Sequence, residues 1–152
     1  MLNPPFLSRA FGSIQAGSQY GCVLRNGYYF RIHLPALTAS EDVPVSAVFE
    51  SSEGGMGLNP VDPSLGEIYW GVYAWPAEPS PHAKSTYFIN QDGDVIERSP
   101  ESGGNRYIGL NGGPAFDAAY SAESPRDMRT SMGIATYGLS ANDGATWALV
   151  GR

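Results

Sequence analysis

Glu67-Ile68-Tyr69-Trp70-Gly71-Val72-Tyr73-Ala74-Trp75-Pro76-Ala77 is the stretch on which the fold turns. In a strand, successive side chains point to opposite faces. Ile68, Trp70, Val72 and Ala74 therefore share one face, and Tyr69, Gly71, Tyr73 and Trp75 share the other. Both rows are apolar, which is the pattern of a central strand covered on both sides. One of the two rows must face something other than water, either another part of the chain or a partner. Pro76 ends the strand, because proline has no N–H for the ladder.

Working outward, two further runs read as hairpins. Residues 21–24 and 28–34 flank Arg25-Asn26-Gly27, and Asn-Gly is the preferred dipeptide of a tight primed turn. In its second arm Tyr28, Phe30 and Ile32 face one way, Tyr29, Arg31 and His33 the other, and Pro35 closes it. Residues 86–90 and 95–98 flank Gln91-Asp92-Gly93-Asp94, again with a turn dipeptide between alternating arms. A third hairpin is expected from residues 133–139 and 146–150, turning through Ala141-Asn142-Asp143-Gly144. Residues 43–49 read as a strand or as part of a short helix, and 114–122 as containing a helical turn. Residues 51–65, rich in Ser, Gly and Pro, read as a long loop. Residues 5–11 read as a short helix, with Asn3 as cap and prolines near its first turn.

The chain has 152 residues, 42% of them hydrophobic, with 19 glycines and 12 prolines. That length suits one domain, here 1–152, able to bury a core without metal or disulfide. The composition suits short strands joined by explicit turns. Fifteen acidic against nine basic residues give a formal charge of −6, which repels phosphate backbones and argues against nucleic acid. Cys22 is the only cysteine, so no disulfide within the chain and no cysteine metal cluster can form, and it reads as a small buried hydrophobe. No apolar run approaches the roughly 18 residues of a membrane span, and no signal-peptide pattern opens the sequence. Met1-Leu2-Asn3-Pro4-Pro5 reads as a start within a longer protein.

Nucleophilic catalysis needs a Ser or Cys placed by a base, usually His. His33 and His82 are the only histidines, and no Gly-x-Ser-x-Gly elbow occurs. His82 lies in a polar run, and His33, alternating with Arg31, reads as a surface or partly buried packing residue. Glu67, Glu78 and Glu97 flank aromatic strands, as acids of a glycoside hydrolase would, yet nothing in their spacing selects a pair. Oxygen donors at Asn90, Asp92 and Asp94 suggest calcium, but Val95 stands where an EF-hand needs glycine, and a plain hairpin turn explains Asp92-Gly93. Asp143 beside Asn142 is an equally weak calcium candidate. No cofactor or metal is expected. The aromatic residues of the three strands suffice for most of a core, each burying roughly 150–250 Å². Any left exposed, with Tyr69, Tyr73 and Trp75 as the candidates, would serve a glycan, a peptide or a neighbouring subunit.

Three segments in order, Gly27-Tyr28-Tyr29-Phe30-Arg31-Ile32, Tyr73-Ala74-Trp75-Pro76-Ala77-Glu78 and Tyr87-Phe88-Ile89-Asn90-Gln91-Asp92-Gly93-Asp94-Val95, resemble globular parts of bacterial prepilin-like proteins related to type II secretion pseudopilins. Similar cores occur in uncharacterised secreted bacterial proteins. The resemblance covers about residues 21–98 and extends weakly to Gly113-Pro114-Ala115-Phe116-Asp117-Ala118-Ala119-Tyr120. It implies a β-rich α+β fold, an antiparallel sheet packed on an N-terminal helix. It also implies a stem that carries the only membrane contact, with residues 2–14 as the remnant just after that stem. Major pseudopilins bind calcium in a C-terminal loop, for which Asp143 is the nearest counterpart here. The function expected on this basis is non-catalytic: a pilin- or pseudopilin-like domain contacting other subunits of an extracytoplasmic filament or secretion apparatus, in the periplasm or at the cell surface. The alternatives are an extracellular glycan- or peptide-binding module and a small glycoside-type hydrolase.

Overall fold

A computed structural model describes residues 21–38, 40–49, 60–80, 84–102, 107–123, 126–130 and 140–151. Its described elements are β1 (Val23–Arg25), β2 (Tyr28–Pro35), β3 (Ala47–Phe49), α1 (Pro63–Gly66), β4 (Gly71–Pro76), β5 (Thr86–Asn90), β6 (Val95–Arg98) and β7 (Ala148–Leu149). They form one antiparallel sheet in the order β1-β2-β4-β5-β6-β7, with β3 pairing to β2 off that path.

The α+β, pilin-like architecture with a helix-packed sheet is therefore corrected to a β fold. The one helix among the described residues has four residues, and it lies between β3 and β4 rather than before the sheet. The helix expected at residues 5–11 and the hairpin arm expected at 133–139 lie outside the described residues. What packs on the sheet is irregular chain from residues 107–123 and 140–147, pinned by side chains. The Tyr73 hydroxyl donates to the Phe116 carbonyl and accepts from the Ala119 N–H, both at 3.0 Å. The Trp75 indole donates to the Gly109 carbonyl at 2.8 Å. Residues 114–122, expected to hold a helical turn, make successive tight turns, with Ala118 N bonded to Ala115 O and Tyr120 N to Asp117 O.

The strand register shows why these residues face as they do. One inward row runs Arg31, Tyr73, Phe88, Ile96, Leu149 across β2, β4, β5, β6 and β7. A second pairs Tyr29 with Trp75, and a third runs Phe49, His33, Gly71, Asn90. Tyr73, Trp75, Phe88 and Trp147 are the large members of the core, at most 1% exposed. Full burial of such side chains stabilises by roughly 2–3 kcal/mol each. The close fit extends to Gly113, where a Cβ would stand 2.6 Å from the Trp75 ring. The turn between β1 and β2 is the expected one: Asn26 and Gly27 have φ of 50° and 78°, as a primed turn requires.

The central strand begins at Gly71, four residues later than alternation suggests. Asp62 caps α1, its Oδ1 accepting from Ser64 N and Leu65 N at 3.0 Å, and Pro63 occupies the first turn. Residues 67–69 finish that turn, Ile68 N and Tyr69 N both bonding to Leu65 O. A local cap thus overrides the strand pattern of Glu67-Ile68-Tyr69-Trp70.

Candidate interaction surface

The faces of the sheet carry the opposite polarity to a sheet with one wet side. Buried on the inner face are Arg31, His33, Thr86, Asn90 and Arg98, along with the aromatics. The outer face consists of two cross-strand rows, Phe30-Ala74-Tyr87-Glu97 and Ile32-Val72-Ile89-Val95. Seven of these eight side chains are apolar, and none of the eight is fully buried, with Ile32 47% and Val95 40% exposed. Among the described residues, the irregular chain that packs on the sheet lies on its inner face, and the outer rows are half-buried to exposed.

Parity explains the inversion. Tyr73 and Trp75 have polar handles that reach the loop layer, so their row of β4 turns inward. Antiparallel register then forces Tyr29 and Arg31 inward beside them, since a strand cannot rotate one residue alone. Arg31 is accommodated by its flat guanidinium, whose central carbon lies 4.9 Å from the centre of the Trp75 ring.

On the outer face Tyr28, Phe30, Val72, Ala74, Tyr87 and Ile89 line a shallow depression of about 310 Å³. Tyr28 and Tyr87 lean together above it, ring centres 5.9 Å apart and planes at 50°. Lys84 Nζ lies 5.6 Å from the centre of the Tyr28 ring, so this end of the face has a charged rim of Lys84 and Glu97. Partial burial raises the Tyr28 hydroxyl pKa, helped by Tyr87 and the Glu97 charge, so this rim phenol stays neutral.

The residues singled out from the sequence are placed otherwise. Tyr73 and Trp75 are 0% exposed and Tyr69 is half-buried, so the three do not form an exposed aromatic platform. Alternation alone cannot tell which face of their strand is open, because both rows of β4 are apolar. Asn90 is buried, and its Oδ1 accepts from Asp92 N at 2.9 Å, a turn-closing role. Asp92 and Asp94 are exposed in the β5–β6 turn. Asp143 is saturated: Oδ1 accepts from Ala145 N at 3.0 Å and Trp147 Nε1 at 3.3 Å, while Oδ2 accepts from the Tyr107 hydroxyl at 3.0 Å. Arg98 Nε stands 3.3 Å from the same Oδ2, an ion pair whose geometry is too poor for a hydrogen bond. Asp143 is therefore a structural hub of the core layer. No group of three or more His, Cys, Asp or Glu among the described residues is arranged to hold a metal ion.

Groups suited to acid–base chemistry are scattered or already committed. Glu67, after α1, and Glu78, after β4, are exposed, and Glu97, within β6, is half-buried, so the three lie on different elements. Asp117 and Asp143 line one cavity of about 370 Å³ with Tyr107, Arg126 and Asn142, but Asp143 is committed as above and Asp117 pairs with Arg126 at 3.2 Å. His33 is enclosed between the rings of Phe49 and Tyr73, and His82 lies outside the described residues. Among the described residues no helix is long and apolar enough to cross a membrane. Compared with protein-family models, curated proteins and solved structures, the chain matches none.

Proposed function

We propose that this chain is a non-catalytic interaction module that joins a protein assembly through the outer face of its sheet. The observation that carries this reading is the two-row apolar face, half-buried to exposed and not covered by the loop layer among the described residues, while Arg31, His33, Asn90 and Arg98 are buried on the other side. A sheet gains stability by burying its apolar face, so one that shows it to solvent has a further burial step available. The charged rim of Lys84 and Glu97 gives such a contact orientation more than strength. The extracytoplasmic filament or secretion apparatus implied by the resemblance is the setting of this proposal. The helix-packed fold that came with that resemblance is not part of it. A glycan-binding reading loses its platform with Tyr73 and Trp75 in the core.

Val72→Glu tests the reading. On an open face this substitution is expected to change stability by less than about 1 kcal/mol. The native chain is expected to raise the fluorescence of a hydrophobic dye, and the substitution should abolish that rise. A loss above about 2 kcal/mol in denaturant unfolding would show that Val72 is covered within the chain, and the interaction face would be withdrawn.

A further inference from the structure

We propose that His33 is an acid-sensitive latch: protonation of its imidazole releases β3, the three-residue strand that closes over it, while the rest of the sheet stays folded. His33 is 2% exposed, and among the described residues neither ring nitrogen has a hydrogen-bond partner. Its ring is held edge-on by Phe49 at 5.8 Å and 83° and by Tyr73 at 5.5 Å and 84°. A neutral imidazole tolerates that cage. An imidazolium has two N–H donors and a full charge, and the described residues of the cage present it no hydrogen-bond acceptor, the Tyr73 hydroxyl being engaged with Phe116 and Ala119. The charged neighbour on its own strand, Arg31, makes matters worse, being two residues away on the same face. Phe49 from β3 and Gly71 from β4, its partners across the sheet, add no charge that would hold a cation. Burial first, and Arg31 second, hold the His33 pKa down at about 3 in the closed chain, against 6.5 when free.

Relief comes most readily at β3. Tyr73 belongs to the central strand and is tied to the loop layer, whereas β3 has three residues whose ladder partners, among the described residues, are His33, Leu34 and Pro35, with Ala36 N bonded to Ser46 O just before it. Lifting Phe49 lets water reach the ring. The segment before β3 keeps its own anchor: Arg129 donates to the Glu41 and Val43 carbonyls at 3.0 and 3.1 Å, and Met128 N to the Val45 carbonyl at 2.9 Å. Asp127, which holds Arg129, is partly desolvated, but the Arg129 hydrogen bonds outweigh that and keep its carboxyl below the usual range. This anchor therefore stays charged while His33 titrates, and the opening stops at β3.

The sign follows from linkage. Above pH 6.5 the imidazole is neutral open or closed, and the latch is shut. As pH falls from 6.5 towards 3, only the open form takes the proton, so the opening constant rises up to tenfold per pH unit. Amide hydrogen exchange read by NMR tests this, after correction for intrinsic exchange rates. From pH 6.5 to 4.5, protection at Val48 and Phe49 is expected to fall up to about 100-fold, with Tyr73 and Phe88 unchanged. His33→Leu should flatten the profile at β3. Equal loss at Tyr73 and Phe88, or a profile that His33→Leu leaves intact, would overturn the proposal. Should His33→Leu fold poorly, the imidazole resonances of the native chain decide: a His33 ring titrating near 6.5 with β3 still protected would overturn it as well.

Discussion

Asp143→Ala is expected to destabilise the chain by about 3–5 kcal/mol, the range for removing one partner of a buried ion pair. The carboxylate joins four groups of the core layer at once: the Ala145 N–H, the Trp147 indole, the Tyr107 hydroxyl and the Arg98 guanidinium. Arg98 is 2% exposed and packs 5.3 Å from the centre of the Tyr107 ring, so the substitution strips a buried cation of its carboxylate. For a domain of this size the midpoint of thermal unfolding should drop by roughly 10 °C. Asp143→Asn keeps a carbonyl oxygen for Ala145 and Trp147 and should fall between wild type and alanine. A midpoint within about 2 °C of wild type for Asp143→Ala would refute the hub and make this residue a candidate cation ligand again.

Tyr73→Phe removes one oxygen and is expected to cost about 2–4 kcal/mol. The hydroxyl links the central strand to the loop layer by giving its proton to Phe116 O and taking one from Ala119 N. Phenylalanine fills the same space but leaves a buried carbonyl and a buried N–H, each costing roughly 1–3 kcal/mol when unsatisfied. Burial raises the Tyr73 hydroxyl pKa well above its ordinary range, so it serves as a neutral donor and acceptor throughout. Denaturant unfolding followed by tryptophan fluorescence measures the cost. A loss under about 0.5 kcal/mol would mean that the loop layer is held some other way.

Much of the sheet is legible in the sequence because alternation and turn chemistry are local. Asn26-Gly27 and Asp92-Gly93 mark two hairpins seen among the described residues, and the residues around Val72 mark the central strand. Alternation misplaces that strand's start, although Asp62-Pro63-Ser64 carries an ordinary helix-start signal that extends the turn into residues 67–69. Which way the sheet faces is not legible. Alternation fixes parity only relative to the neighbouring strand, and in β4 both rows are apolar. The choice is made by loops without periodicity, through Gly109, Phe116 and Ala119, and by the room that Gly113 leaves for Trp75. Once β4 is set, β2 must turn Arg31 and His33 inward, against their chemical character. The proposed interaction surface escapes sequence reasoning for the same reason: its residues, Val72 and Ala74, read as a covered row. The hub role of Asp143 is not legible, because an Asp within Asn-Asp-Gly looks alike whether it binds an ion or its own chain.

The central claim is that the row through Val72 and Ala74 is open, and thiol labelling of Ala74→Cys tests it most directly. Cys22, 2% exposed, is a built-in reference for a protected thiol. At low micromolar protein, the introduced thiol should react with an aromatic disulfide reagent within minutes, while Cys22 reacts only on unfolding. If the thiol at position 74 is as protected as Cys22, the face is covered by the chain itself and the interaction module proposed here does not exist.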